Sequence, residues 1–381
     1  VGAGARGGPP AGARRLVALV RKEWLQVVRD PSSIGIAFLL PILLLFLFGY
    51  GVSLDARGVP IAIVIESPGP EAESFAGTFR SSPWFEPRVL GDRRAAEAAL
   101  LAREVTAIVV LRASFERRVQ RAEGARIQLV VSGVDANSAR LIEGYVRGAW
   151  ERWLDQTARQ QGVDLESPVR VEPRVWYNPE VNSRYFLVPG LVAIVMTLIG
   201  ALLTAVVVAR EWERGTMEAL LATPVTAGEI LLSKVVPYFV LGLGGLALSV
   251  AMAVGLFHVP LVGSLWVLLL GSSLFLLAAL GMGLLISTVT RTQFTASQIA
   301  ILATFLPAFL LSGFIFDIGS MPAPVRAITY LIAARYYVAI LQTVFLAGDV
   351  WSVVLPNALA LAGMAALFLG LTWRLTRTRL D

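Results

Sequence analysis

The run YFLVPGLVAIVMTLIGALLTAVVVA, residues 185–209, contains no Asp, Glu, Lys or Arg, and the charged cluster Arg210-Glu-Trp-Glu-Arg214 follows it at once. An uncharged apolar run of about twenty residues is long enough to cross a bilayer as a helix. Five further runs read the same way: Ile34–Leu54, Val235–Phe257, Leu261–Val289, Ala296–Phe316 and Trp351–Trp373. The run from Leu261 is long enough to be tilted or kinked. The chain has 381 residues, 56% hydrophobic and 16% charged, whereas an ordinary soluble domain is about 25% charged. The expected fold class is an α-helical polytopic membrane protein with six transmembrane helices, plus an inserted α/β domain between helices one and two.

Arginine and lysine set the orientation. Arg6, Arg14, Arg15, Arg21, Lys22 and Arg29 precede the first span, Arg210, Arg214 and Lys234 follow the second, Arg291 follows the fourth, and Arg374, Arg377 and Arg379 follow the sixth. The short connections of the opposite face hold only Arg326 and Arg335. The positive-inside rule then places both termini in the cytoplasm and residues 55–184 outside, in a bacterial inner (plasma) membrane protein. Residues 55–184 hold eighteen Arg and eighteen acidic residues, so the net +6 lies on the inner face. That basic balance reports topology and anionic lipid, not nucleic acid.

The resulting division has a cytoplasmic lead and amphipathic helix (1–33), span one (34–54), an extracytoplasmic α/β domain (55–184), span two (185–209) and a cytoplasmic segment (210–234). Spans three to five (235–316), an external hairpin (317–350), span six (351–373) and a cytoplasmic tail (374–381) complete it. Residues 1–13 are expected to be a flexible lead without the apolar core of a signal peptide. In the α/β domain, Pro60–Glu66, Val105–Leu111, Ile127–Ser132 and Val169–Tyr177 read as strands. Glu71–Arg80, Asp92–Arg103, Ser114–Ala122 and Asn137–Gln161 read as helices, and such alternation argues for a compact α/β unit. Within the hairpin, apolar Ala327–Ala334 and Val338–Leu346 are each too short to span and suit helices that enter the outer leaflet and return.

Arg14–Arg29 has Leu16, Leu19, Val20, Trp24 and Val27 on one side and Arg15, Lys22, Gln26 and Arg29 on the other. A basic amphipathic helix of this kind lies in the headgroup layer, as an anchor alone or also as a contact surface for a cytoplasmic partner. Asp30-Pro31 ends it and opens the next helix. In 210–234, Gly215 breaks the charged end of span two, Thr216–Ala222 makes a short helix, Thr223-Pro224 stops it, and Thr226 with Glu229 forms a capping box. A mere connection needs only a few residues, so a short helix held between two turns points to a docking knob that takes force from a motor.

Several chemistries are excluded. Cysteine is absent, which removes disulfides and thiolate catalysis. No G-x-x-x-x-G-K-[ST] motif occurs, and the only lysines are Lys22 and Lys234, so the chain has no P-loop ATPase site. No acidic or basic residue stands at the centre of a span, as ion-coupled carriers generally require. The lone His258 sits beside a short external turn and makes no catalytic constellation. A membrane scaffold or receptor with an external sensor domain remains as an alternative, and the capped helix at 210–234 weighs against it.

Four blocks in order resemble the permease subunits of type 2 ABC exporters, in the multidrug-type group with a large extracytoplasmic domain. They are Arg21-Lys-Glu-Trp-Leu-Gln-Val-Val-Arg-Asp-Pro31; Tyr177-Asn-Pro-Glu with Ser183-Arg-Tyr-Phe-Leu-Val-Pro-Gly190; Arg210–Lys234; and Leu311-Ser-Gly-Phe-Ile-Phe316 with Ser320-Met-Pro322. The sequence departs from the family pattern at Asp317-Ile-Gly and at Ala333-Ala334, where the family often carries Pro. The resemblance implies a dimer with a second permease copy or close paralogue, two cytoplasmic ABC ATPase subunits that hold ATP and Mg, and contact with membrane lipids and an envelope adaptor. It implies no cofactor on this chain. Glu211, Glu213, Gly215, Thr216, Glu218, Thr223 and Pro224 would lie at or near the ATPase contact, and Lys22, Glu23, Trp24, Arg29 and Asp30 would form a second contact through the connecting helix. Spans two and five would line the pathway, with Phe186, Phe305, Phe309, Phe314 and Phe316 as candidate lining for an amphipathic or lipid-like cargo.

Overall fold

The computed structural model describes residues 11–51, 58–121, 125–132, 136–160, 177 and 182–376. Two compact units divide the chain: Val1–Ser53 with Val175–Asp381, and Leu54–Arg174.

Among the described residues of the first unit, six helices are long and apolar enough to cross a membrane: Pro31–Gly51, Ser183–Glu213, Ala227–Gly255, Leu265–Thr290, Gln293–Leu311 and Trp351–Leu375. They are spans one to six. The differences from the expected bounds have local causes. The Thr226–Glu229 capping box starts span three at Ala227, two turns before Val235, and so brings Lys234 inside the helix. Span five stops at Leu311, because Gly313 turns the chain at φ +87 and Ser312–Phe316 is bent. Span four runs Leu265–Thr290, shorter than the sequence suggested, with Ser264 as its cap rather than part of the span.

Spans one and five share an irregularity. Each widens to a π-type turn, at Gly35–Leu39 and Ile301–Phe305, just ahead of Pro41 and Pro307. A proline ring clashes with the carbonyl four residues earlier, and an extra residue in the turn relieves it.

Small residues set the closest approaches. A β-carbon on Gly283 of span four would lie 2.2 Å from Thr204 Oγ1 and 2.4 Å from the Ala201 carbonyl oxygen of span two. The Thr204 hydroxyl also reaches the Leu280 carbonyl across the interface, at 3.0 Å. Such contacts are how helices associate where lipid removes the hydrophobic drive.

Between spans five and six, helices Ala323–Thr329 and Ala333–Leu346 meet at 81°. The break falls inside the apolar piece expected at Ala327–Ala334. The second helix is fixed to span four by a Ser272–Tyr337 hydroxyl pair at 2.8 Å and by stacking of Phe275 on Tyr337 at 4.2 Å. The turn before span four is pinned to it as well, Val262 and Gly263 amides donating to Phe345 and Val344 carbonyls. Asp349 then accepts the Ser264 amide at 2.9 Å.

Among its described residues the second unit holds a four-stranded sheet in the order β2-β1-β3-β4, with β1 Val59–Ile65, β2 Phe85–Leu90, β3 Ala107–Leu111 and β4 Ile127–Val131. β1 runs parallel to β2 and β3, and β4 is antiparallel to β3. Alternation along β1 and β3 divides the core. Ile61, Ile63, Ala107 and Val109 meet Phe75, Phe79, Phe115 and Trp153 on one face, while Ala62, Val64, Ile108 and Val110 meet Ala96 and Val105 on the other. Strands and helices alternate along this unit. β2 was not foreseen, and the strand expected at Val169–Tyr177 lies almost wholly outside the described residues.

Candidate functional site

The lead helix, the start of span one and the turn between spans four and five all meet 210–234. Span two is interrupted at Val206, and the amides of Val208 and Ala209 just beyond donate to Ser287 Oγ of span four at 3.0 and 2.9 Å. The extension Val207–Glu213 ends at Arg214, and Gly215 turns the chain in the left-handed region at φ +68. The short helix Thr216–Leu221 follows, held from beneath by buried Met217. Thr216 Oγ1 donates to the Glu211 carbonyl and Thr223 Oγ1 to the Leu220 carbonyl, closing both ends of the knob. Glu218, Thr223 and Pro224 are exposed on it. Left-handed backbone costs a residue with a side chain about 1–2 kcal/mol. Gly215→Ala is therefore expected to lower the stability of the purified chain by that much, read as a small fall in its thermal midpoint.

The lead helix, Ala11–Val28, is fastened to this segment at three levels. Arg15 pairs with Glu229 at 3.3 Å. In the middle, Lys234 Nζ lies 3.1 Å from Glu23 and 3.5 Å from Glu211, while Lys22 Nζ lies 2.6 Å from Glu211 and 3.2 Å from Glu23. At the far end Arg210 pairs with Asp30 at 3.1 Å, and Asp30 caps span one through the Ser32 amide and the Ser33 hydroxyl. Exposure is 3% for Glu23, 4% for Glu211 and 1% for Lys234, so these charges are withdrawn from water and their pairing is mutual. Burial opposes the charge on Lys22, but the Glu211 hydrogen bond and the two carboxylate charges outweigh it and raise its pKa. Burial likewise opposes the charge on Asp30, but bonds from Ser33 and Arg210 lower its pKa below the ordinary 3.8. The Asp30 contribution to stability is thus complete above that ordinary value and is lost only as pH falls below it.

The sequence grouped Trp24 with the apolar side of this helix. The structure buries Glu23 and leaves Trp24 41% exposed, because Glu23 pairs with the buried Lys234 of span three. Lys22 is partly exposed and Arg29 exposed.

Of the aromatic residues proposed for the pathway, Phe305, Phe309 and Phe314 form one row, with ring centroids 5.7 and 6.3 Å apart, and Phe48 of span one joins Phe309 at 6.3 Å. Phe314 is buried against Gly190, where a β-carbon would come within 2.1 Å of the ring. Phe186 and Phe316 are exposed and stand apart from the row. An uncharged cavity of about 60 Å³ lies behind the widened turn of span five, its lining including Thr197, Phe275, Ala303, Thr304, Ile332 and Phe368.

Residues missed by sequence reasoning are Ser287, Arg291 and Gln293. Arg210 Nε donates to Gln293 Oε1 at 3.2 Å, Glu213 accepts the Gln293 amide at 2.7 Å, and the Arg291 guanidinium lies 4.5 Å over the Trp212 ring. The only sequence signal was a short polar turn, Arg291-Thr-Gln293, on the same basic face.

Residues 31–374 match the family described as ABC-2 family transporter protein. Over 369 residues, 97% of this chain and 98% of the relative, the sequence is 47% identical to the probable multidrug ABC transporter permease YbhS of Escherichia coli (strain K12). It is 27% identical over 333 residues to the probable multidrug ABC transporter permease YbhR of the same strain, covering 87% and 90% of the two chains. Identity to the inner membrane transport permease YhhJ of that strain is 29% over 290 residues, covering 75% and 76%.

Proposed function

The chain belongs to the ABC-2 family of transporter proteins, and on that premise we propose that it is the membrane-spanning permease of an exporter whose ATPase docks on the knob at Thr216–Leu221. The permease role itself follows from the family and from relatives named as multidrug ABC transporter permeases, and ATP hydrolysis belongs to a separate subunit. The observation that carries the docking site is the knob's construction. A helix too short to stand alone is fixed by Gly215, Thr216, Met217 and Thr223, yet turns Glu218 and Pro224 to the exterior. Glu211 and Glu23 act from inside, holding the knob and the lead helix as one piece, while Lys22, Trp24 and Arg29 offer the second contact. Asp30 orients Arg210. Glu213 stands at the knob's base.

In this reading both termini and the knob are cytoplasmic, residues 55–184 are extracytoplasmic, and the bent helix pair at Ala323–Leu346 re-enters the outer leaflet. Two permeases, identical or closely related, work with two ATPase subunits that bind ATP and Mg. ATP-driven closure of the ATPase pair pushes the knobs, the spans rearrange, and cargo leaves outward by alternating access. The Phe305–Phe309–Phe314 row and the charge-free runs of the spans support an amphipathic or lipid-like cargo.

Glu218→Arg tests the docking site, because reversing an exposed charge at an interface alters partner affinity without burying anything. Capture of the cognate ATPase subunit by the purified variant should weaken about tenfold, or about 1.4 kcal/mol. Capture equal to the parent's, from an equally stable chain, would dismiss the knob as the docking site.

A further inference from the structure

Span five begins without a cap of its own. The side chain of Thr292, at the capping position, makes no bond to the helix amides, and its hydroxyl donates instead to Thr295 Oγ1 at 2.8 Å. The cap comes from elsewhere in the chain. Glu213, the last residue of the span-two extension, accepts the Gln293 amide at 2.7 Å with one carboxylate oxygen and the Gln293 side-chain nitrogen with the other. The remaining atom of that side chain, Gln293 Oε1, accepts from Arg210, whose other nitrogen pairs with Asp30. Arg291 adds its guanidinium over Trp212, from a left-handed backbone at φ +57. Arg210, Trp212 and Glu213, all adjacent to the knob, therefore grip the turn between spans four and five.

The helix they grip is the least enclosed of the six. Only 17% of the apolar window of span five is buried, and its backbone widens at Ile301–Phe305 ahead of Pro307. A carboxylate at a helix N-terminus is held by the exposed amides and by the helix dipole, and a charged acceptor strengthens the bonds. Displacement of Glu213 must either break these bonds or carry the start of span five with it.

We propose that Glu213 caps span five and that Gln293 is the residue through which the knob's motion enters that span, a proposal that rests on the knob being the motor's docking site. The turn at Arg291–Gln293 is then a second relay inside the protomer, and Gln293 is a positioning residue for the transport cycle. It needs no contact with the ATPase or the cargo.

The chain's lack of cysteine makes the test clean, since a cysteine at exposed Gln298 on span five is its only thiol. The permease with its ATPase subunit, in lipid nanodiscs, is labelled with a maleimide in the nucleotide-free state and after trapping with ATP and vanadate. In the Gln298→Cys parent the two labelling rates should differ. Gln293→Glu sets a second carboxylate against Glu213 and should shrink that difference about tenfold, the scale of one charge-assisted hydrogen bond, while the ATPase subunit stays bound and hydrolyses ATP. The exchange Glu213→Gln with Gln293→Glu restores a donor opposite an acceptor and should recover the difference. If Gln293→Glu does not assemble, Gln293→Ala removes the side-chain bonds, keeps the backbone cap, and should shrink the difference by a smaller factor.

Equal rates in the parent, an unchanged difference in Gln293→Glu, or a loss that the exchange fails to recover would each overturn the relay while leaving docking intact. A parent that does not hold the ATPase subunit removes the docking premise, and the relay falls with it.

Discussion

Lys234→Met should destabilise the chain by about 3–5 kcal/mol, the usual result of removing one partner from a buried ion pair. The residue is 1% exposed and sits between Glu23 and Glu211, both also buried. Without it two carboxylates share Lys22 alone, and one oxygen of Glu23 already has no hydrogen-bond partner. The Met side chain fills most of the volume of lysine, so the loss is charge and not packing. The check is thermal unfolding of the purified chain in detergent, followed by its tryptophans. Adding Glu23→Gln to Lys234→Met removes the excess negative charge and should recover a large part of the loss, because cations and anions balance again. A single variant as stable as the parent would mean that water reaches the cluster and that its members are not truly buried.

The second large effect is expected at Gly283. A β-carbon there would meet the Ala201 carbonyl oxygen at 2.4 Å, and backbone cannot swing aside as a long side chain can. Gly283→Ala should cost about 1–3 kcal/mol by overpacking, and Gly283→Leu more, since it must part spans two and four. Yield of folded chain and thermal midpoint both report it. Gly363→Leu is the matched control, because that glycine lies in span six with nothing within 4 Å of its missing β-carbon. Equal tolerance of leucine at the two positions would disprove the close contact.

The six spans were legible because charge-free runs of that length have few alternatives in an otherwise charged chain. The knob was legible through glycine, proline and capping-box chemistry, all of which act within a few residues. The family resemblance added the role but not the geometry. What could not be read were pairings across long separations. Glu23 belongs to neither side of the amphipathic helix as read from sequence, and its buried partner Lys234 lies 211 positions away. The start of span three was recoverable: once Thr226 is taken as its cap, Lys234 must lie two turns inside. β2 escaped because Phe85-Glu-Pro-Arg-Val-Leu90 lies at the sheet edge, where most of its side chains remain accessible and a proline is tolerated. The widened turns in spans one and five have proline as their only local signal, and proline can equally produce a kink.

Span two is at once the most apolar span, with mean hydropathy 2.8, and the most enclosed, with 89% of its window buried. In water those properties would share one cause. In lipid they do not, since hydrocarbon outside a helix is as apolar as hydrocarbon beside it. A span inserted in chain order must hold the bilayer on its own hydropathy before spans three to six follow it. The enclosure comes later, through Gly200, Ala201 and Thr204, which spend that interval facing lipid until Ala279 and Gly283 arrive. On that order Gly200, Ala201 and Thr204 are shaped for neighbours that span two must first do without.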